Sequence, residues 1–100
     1  MPYYDTVTNV LEKMKYIPST AWTALSYGDT NAKSRKYIGV FNRSENKLYV
    51  TTDSSASVTE ARAIRAGGER IFPYSDKVTL YGRCGVSGNS SKVVITEECG

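Results

Sequence analysis

The sequence predicts an all-β protein, an antiparallel β-sandwich or small barrel of about six to seven short strands preceded by one short N-terminal α-helix. Three observations carry that expectation. The segments KYIGVFN, KLYVTT, ERIFPY, KVTLYGR and KVVITEE are rich in the β-branched and aromatic residues that suit a pleated, half-buried surface. Each is bounded by Asn, Ser, Gly or Asp, the residues of tight turns. The chain has 100 residues, enough for one domain that buries roughly 60 to 70 % of the surface its unfolded form exposes.

Taken in order, the first sixteen residues read differently from the rest. Asp5 is placed to cap a helix whose apolar positions Val7, Val10, Leu11 and Met14 follow the i, i+3, i+4, i+7 spacing, with Asn9, Glu12, Lys13 and Lys15 toward water. Pro18 disfavours helical geometry at Ile17 and ends the element. Residues 1–18 are therefore expected to form a helix and attachment arm, and residues 19–100 the sandwich. So short a helix is marginal alone, and its stripe must dock on its own sheet or on a neighbouring subunit.

Thr20 to Tyr27 reads as the first strand, with Trp22 as a core anchor. Gly28 to Asn31 is a turn, and Lys33 to Lys36 a solvated basic stretch. Tyr37 to Asn42 and Leu48 to Thr52 are expected to form a hairpin around Arg43-Ser44-Glu45-Asn46. Ile38 and Val40 fall on one face with Leu48 and Val50 as companions, while Tyr37, Phe41 and Tyr49 take the other. A sheet apolar on both faces must be covered on both, by a second sheet or a subunit. Ser57 to Ala66 carries a capping-box pattern at Ser57 and Glu60, but a loop followed by a short strand before Gly67-Gly68 is favoured. Pro73 confines Ile71–Tyr74 to a sheet edge or strand end. Val78 to Gly82 and Lys92 to Glu97 are expected to pair as a hairpin turning through Ser87 to Ser90.

In that register Cys84 faces about Val93 and Cys99 about Val78. The two cysteines are then separated by roughly 20 Å along the ladder, beyond the ~7 Å limit for a disulfide, and reduced thiols are expected. Two lone cysteines without histidine supply too few soft ligands for a metal site.

The chemistry of the sequence argues against catalysis. Gly82-x-x-Gly85-x-x-Gly88 lacks the strand-to-helix context of a phosphate cradle, so turn glycines explain it better. Adjacent Glu97 and Glu98 point to opposite faces of a strand and cannot cooperate as acid and base. Asp53, Glu60, Glu69 and Asp76 converge only if tertiary structure happens to bring them together. Serines are abundant, but no histidine and no Ser-x-x-Lys motif is there to activate one. No enzymatic activity and no cofactor are expected. With 13 Lys and Arg against 10 Asp and Glu, the formal net charge is +3, and the positive residues are scattered. That favours solubility over a nucleic-acid footprint. No apolar run approaches the roughly 20 residues of a membrane span, and no export signal is apparent.

Eight tyrosines, Tyr3, Tyr4, Tyr16, Tyr27, Tyr37, Tyr49, Tyr74 and Tyr81, supply amphipathic rings. Such rings suit a protein interface, and equally an ordinary sheet. The expected partner-binding residues are Tyr3, Tyr4, Val7, Val10, Leu11, Met14, Tyr37, Phe41 and Tyr49. From about residue 20 to 97, the succession KYIGVFN, LYVTTD, IRAGGERIFPYSD, KVTLYGRCG, KVVITEE resembles the small β-sandwich virion proteins of tailed bacteriophages, of the capsid decoration, auxiliary head or head-fibre kind. The resemblance implies a non-enzymatic structural protein of the virion, assembled in the host cytoplasm. Its expected partners are other virion proteins and copies of itself, a trimer being favoured, with neither nucleic acid nor membrane. The N-terminal helix and the two cysteines depart from that pattern. The alternative is a small phage or bacterial inhibitor that binds a single host protein.

Overall fold

In the computed structural model, residues 9–26 and 35–99 are described. They form eight strands: β1 (Asn9–Pro18), β2 (Thr23–Ala24), β3 (Arg35–Asn42), β4 (Leu48–Thr51), β5 (Arg62–Ile64), β6 (Glu69–Phe72), β7 (Tyr81–Cys84) and β8 (Ser90–Cys99). They build two four-stranded sheets, β1-β8-β3-β6 and β2-β7-β4-β5, with every pairing antiparallel. The expected all-β sandwich is therefore present, and no helix occurs among the described residues.

The core lies between the sheets because alternate residues of each strand point inward. Ile17, Ile38, Val40, Phe72, Val93 and Ile95 come from the first sheet. Leu48, Val50 and Ile64 come from the second, with Leu25 and Leu80 beside β2 and β7. Gly82 sits inside β7 because a Cβ there would fall 2.8 Å from Leu25 Cδ2, so it is a packing glycine rather than a turn residue. Gly88, with φ +81°, does occupy a turn.

Several expectations are corrected. Residues 9–16 are not helical: β1 pairs along its whole length with β8, from Asn9 opposite Cys99 to Pro18 opposite Ser90. Val10, Leu11 and Met14 satisfy helical spacing, but in a strand Leu11 faces away from the other two. Asp5 and Val7 lie outside the described residues, as does the expected turn at Gly28 to Asn31. The stretch from Thr20 forms only the two-residue β2. Trp22 is half-buried rather than a core anchor, its indole Nε1 donating to the Ala56 carbonyl at 2.8 Å.

Neither expected hairpin forms. The turn after β3 carries the chain from one sheet to the other, so β4 pairs with β5 and β7 while β3 pairs with β6 and β8. Ile38 and Val40 meet Leu48 and Val50 across the core instead of beside them. Asn42 drives this arch. Fully buried, its Nδ2 lies within hydrogen-bond reach of the carbonyls of Asn46 (2.7 Å), Ile64 (3.1 Å) and Arg65 (3.2 Å), and its Oδ1 accepts from the Ser44 amide and hydroxyl. Likewise β7 and β8 belong to different sheets, which removes the register used to separate the cysteines. Cys84 and Cys99 are nonetheless both free and buried.

The basic stretch also contains an exception. Arg35 is 2 % exposed and Glu97 1 %, with Arg35 Nη1 donating to Glu97 Oε2 at 3.0 Å. Its remaining donors reach the carbonyls of Tyr74 (3.1 Å), Ser75 (2.8 Å) and Val78 (2.7 Å). One side chain thereby holds the β6–β7 crossover against the centre of the first sheet.

Other expectations hold. The Ser57–Glu60 contacts of a capping box form, with the Ser57 amide donating to Glu60 Oε1 at 3.0 Å, but they close a turn that leads into β5. Strand β6 is an edge strand and stops immediately before Pro73.

Candidate functional site

Registry in the first sheet defines its solvent-facing side. Val10 opposes Glu98, Glu12 opposes Thr96, Met14 opposes Val94 and Tyr16 opposes Lys92. On the other flank of β8, Tyr37 opposes Glu98, Gly39 opposes Thr96 and Phe41 opposes Val94. Ile71 and Glu69 of β6 oppose Gly39 and Phe41. These residues alternate with the core-facing set and so share the outer face. The face carries Val10, Met14, Tyr16 and Ile71 at 53, 48, 61 and 51 % exposure, with Tyr37, Phe41 and Val94 half-buried between them.

At one end the face sinks into a groove of about 390 Å³ bounded by Val10, Glu12, Gly39, Glu69, Ile71, Thr96 and Glu98. Gly39 opens its floor. A Cβ on Gly39 would rest 3.7 Å from Thr96 Cβ and 3.8 Å from Ile71 Cγ1, ordinary contact distances, so the missing side chain leaves space without relieving a clash. The Thr96 hydroxyl donates to Glu12 Oε2 at 3.4 Å. Glu98, flanked in its row by Val10 and Tyr37, is only 8 % exposed, and its Oε2 has no hydrogen-bond partner among the described residues. Burial pushes the Glu98 carboxyl up from its ordinary range.

The structure brings four of the expected partner-binding residues, Val10, Met14, Tyr37 and Phe41, onto this one face. Leu11 lies on the opposite side of β1, half-buried. Tyr49 belongs to β4 in the other sheet, with Lys47 Nζ 6.0 Å from its ring centroid. Tyr3, Tyr4 and Val7 lie outside the described residues. Sequence reasoning passed over Tyr16, Ile71 and the three groove carboxylates Glu12, Glu69 and Glu98. The strand alternation Val10-x-Glu12-x-Met14-x-Tyr16 is the signal that would have grouped the β1 members.

Among the described residues, no group of three or more Cys, Asp and Glu side chains is placed to hold a metal ion. The acidic residues Asp53 and Glu60 are engaged locally. Asp53 accepts from Ser55 and Glu60 from Ser57, and these hydrogen bonds hold both carboxyls below their ordinary range. Burial, and then the nearby Glu97 charge, push the Cys99 thiol upward, which makes it a poor nucleophile. No family model matches the chain, and no curated protein and no solved structure matches it.

Proposed function

We propose that the chain is a non-enzymatic structural protein of a tailed phage particle, binding other virion proteins as a decoration, auxiliary head or fibre-type component. The observation that carries this reading is the outer face of the first sheet. There Val10, Met14, Tyr16 and Ile71 stand about half exposed or more on a four-stranded surface, around half-buried aromatic rings. Apolar side chains gathered on one face mark an interaction surface far more often than the same residues scattered singly. Aromatic residues and methionine are the types enriched where proteins meet. The resemblance of the strand succession to phage head proteins supplies the context, and symmetric self-association is the economical way to cover one such face on every copy.

A mass-spectrometric inventory of purified particles tests the reading. The chain is expected in many copies per particle, and Met14→Glu with Ile71→Glu is expected to reduce its incorporation while leaving the isolated protein folded. Absence from particles, together with recovery on a single host protein, would replace this reading with that of a small inhibitor.

A further inference from the structure

The groove at the Val10 end of the outer face has a chemistry that the surrounding apolar surface does not. We propose that it receives a cationic side chain, an arginine in preference to a lysine, from a protein that docks on this face. The proposal rests on the reading of the face as a contact surface, but not on the identity of the particle.

Among the described residues, three carboxylates, Glu12, Glu69 and Glu98, border the groove and no Lys or Arg does, although the chain as a whole carries a formal charge of +3. The negative potential there is local and is not a consequence of overall composition. Glu98 supplies the stronger argument. Its side chain is more than nine-tenths buried, its Oε2 is unpartnered among the described residues, and it lines the groove. A buried acceptor without a donor is destabilising, and native structures seldom keep one without a use. A donor arriving from outside would satisfy it.

Geometry favours a guanidinium. Glu12 opposes Thr96, two residues before Glu98, so the two carboxylates are diagonal neighbours on adjacent strands, roughly 7 to 8 Å apart at their backbones. A planar fork can reach both. A guanidinium is also more weakly hydrated than an ammonium, and so loses less on entering a site walled by Val10 and Ile71. Gly39 leaves room for the approaching stem, and the two apolar walls would cover its methylenes.

The test uses the full chain, labelled with ¹⁵N, and two blocked tripeptides, acetyl-Val-Arg-Val-amide and its citrulline counterpart, which has nearly the same shape without the charge. The arginine peptide is expected to shift the amides of Gly39, Ile71, Thr96 and Glu98 along a saturable curve. The citrulline peptide is expected to bind roughly tenfold or more weakly, as loss of a charge-assisted hydrogen bond predicts. Glu98→Gln is expected to erase the difference between the peptides, and Gly39→Ala to weaken both. Equal responses to the two peptides, shifts spread over the whole surface, or an unchanged arginine response in Glu98→Gln would each overturn the proposal. So would the same four amides shifting with calcium chloride alone, which would make the groove an ion site. If Glu98→Gln loses its dispersed spectrum, Glu12→Gln carries the comparison. Because particle incorporation is measured separately, a chain that enters particles but ignores the arginine peptide rejects the groove and leaves the virion reading standing.

Discussion

Arg35 stands in the sequence among Lys33, Ser34 and Lys36 and yet lies 2 % exposed against Glu97. Its charge is tolerated because every direction it points in offers an acceptor: one carboxylate oxygen and three carbonyls of the β6–β7 crossover. Removing one partner of such a pair leaves the other charge buried and uncompensated, which costs about 3 to 5 kcal/mol. Arg35→Met is accordingly expected to lower stability by that amount in urea unfolding, and Glu97→Gln by less, since its amide oxygen still accepts from the guanidinium. A loss under 1 kcal/mol for Arg35→Met would mean that the crossover is held by something else. Glu98, one residue beyond Glu97, behaves oppositely because its Oε2 finds no hydrogen-bond partner among the described residues. Its carboxyl titrates above the ordinary value near 4.5, owing to burial, so in the window between the two values the folded protein holds a proton that the unfolded chain has released. Its contribution is complete below 4.5 and is lost as pH rises through the folded value. Glu98→Gln is therefore expected to gain stability over the unaltered protein as pH is raised from 4 to 7, measured by urea midpoints at each pH. A difference that stays constant or shrinks over that range would show that burial does not penalise the ionised form.

At the scale of elements, β1 is where spacing and structure part most clearly, and the two readings make opposite demands on its side chains. A helix with Val10 and Met14 in its stripe would bury Met14. The strand buries Ile17 completely and leaves Met14 48 % exposed. Ile17→Ala is thus expected to cost about 2 to 5 kcal/mol and Met14→Ala within about 0.5 kcal/mol of nothing in the isolated protein, both read from urea midpoints. The reverse order would restore the helix. Strands β3, β4 and β8 were legible because their inward residues recur at period two: Ile38 and Val40, Leu48 and Val50, Val93 and Ile95 all point into the core. β1 was not, because Val10, Leu11 and Met14 fit both periods, and only pairing with β8 decides between them. The arch after β3 escaped for a related reason. A loop of that length closes a hairpin as readily as it crosses between sheets, and the deciding residue, Asn42, acts through carbonyls of Ile64 and Arg65, more than twenty positions away. Of the groove, only the individual side chains were visible beforehand. Glu98 reads as an outward polar residue until the register places Val10 and Tyr37 on either side of it.

For the whole molecule, β8 is the organising strand and also the last of the eight to leave the ribosome. It alone joins β1 to β3, pairing with Asn9–Pro18 on one side and with Arg35 through Asn42 on the other. It also carries Val93, Ile95, Glu97 and the groove carboxylate Glu98. Without it the first sheet falls into a lone edge strand and a two-stranded remnant, β3 with β6, and Ile17, Ile38 and Val40 lose their cover. Arg35 also loses the carboxylate that justifies its burial. A two-stranded piece is not independently stable, and the second sheet has no other layer against which to bury Leu48, Val50 and Ile64. A chain ending at Gly88 is therefore expected to show no cooperative thermal transition by circular dichroism. The intact chain, whose central pairings join segments more than fifty residues apart in sequence, is expected to refold on the millisecond-to-second scale typical of non-local β topologies. A truncated chain that melts cooperatively would show that the second sheet and β3 suffice for a core. Refolding in microseconds would contradict a transition state that must bring β8 between β1 and β3.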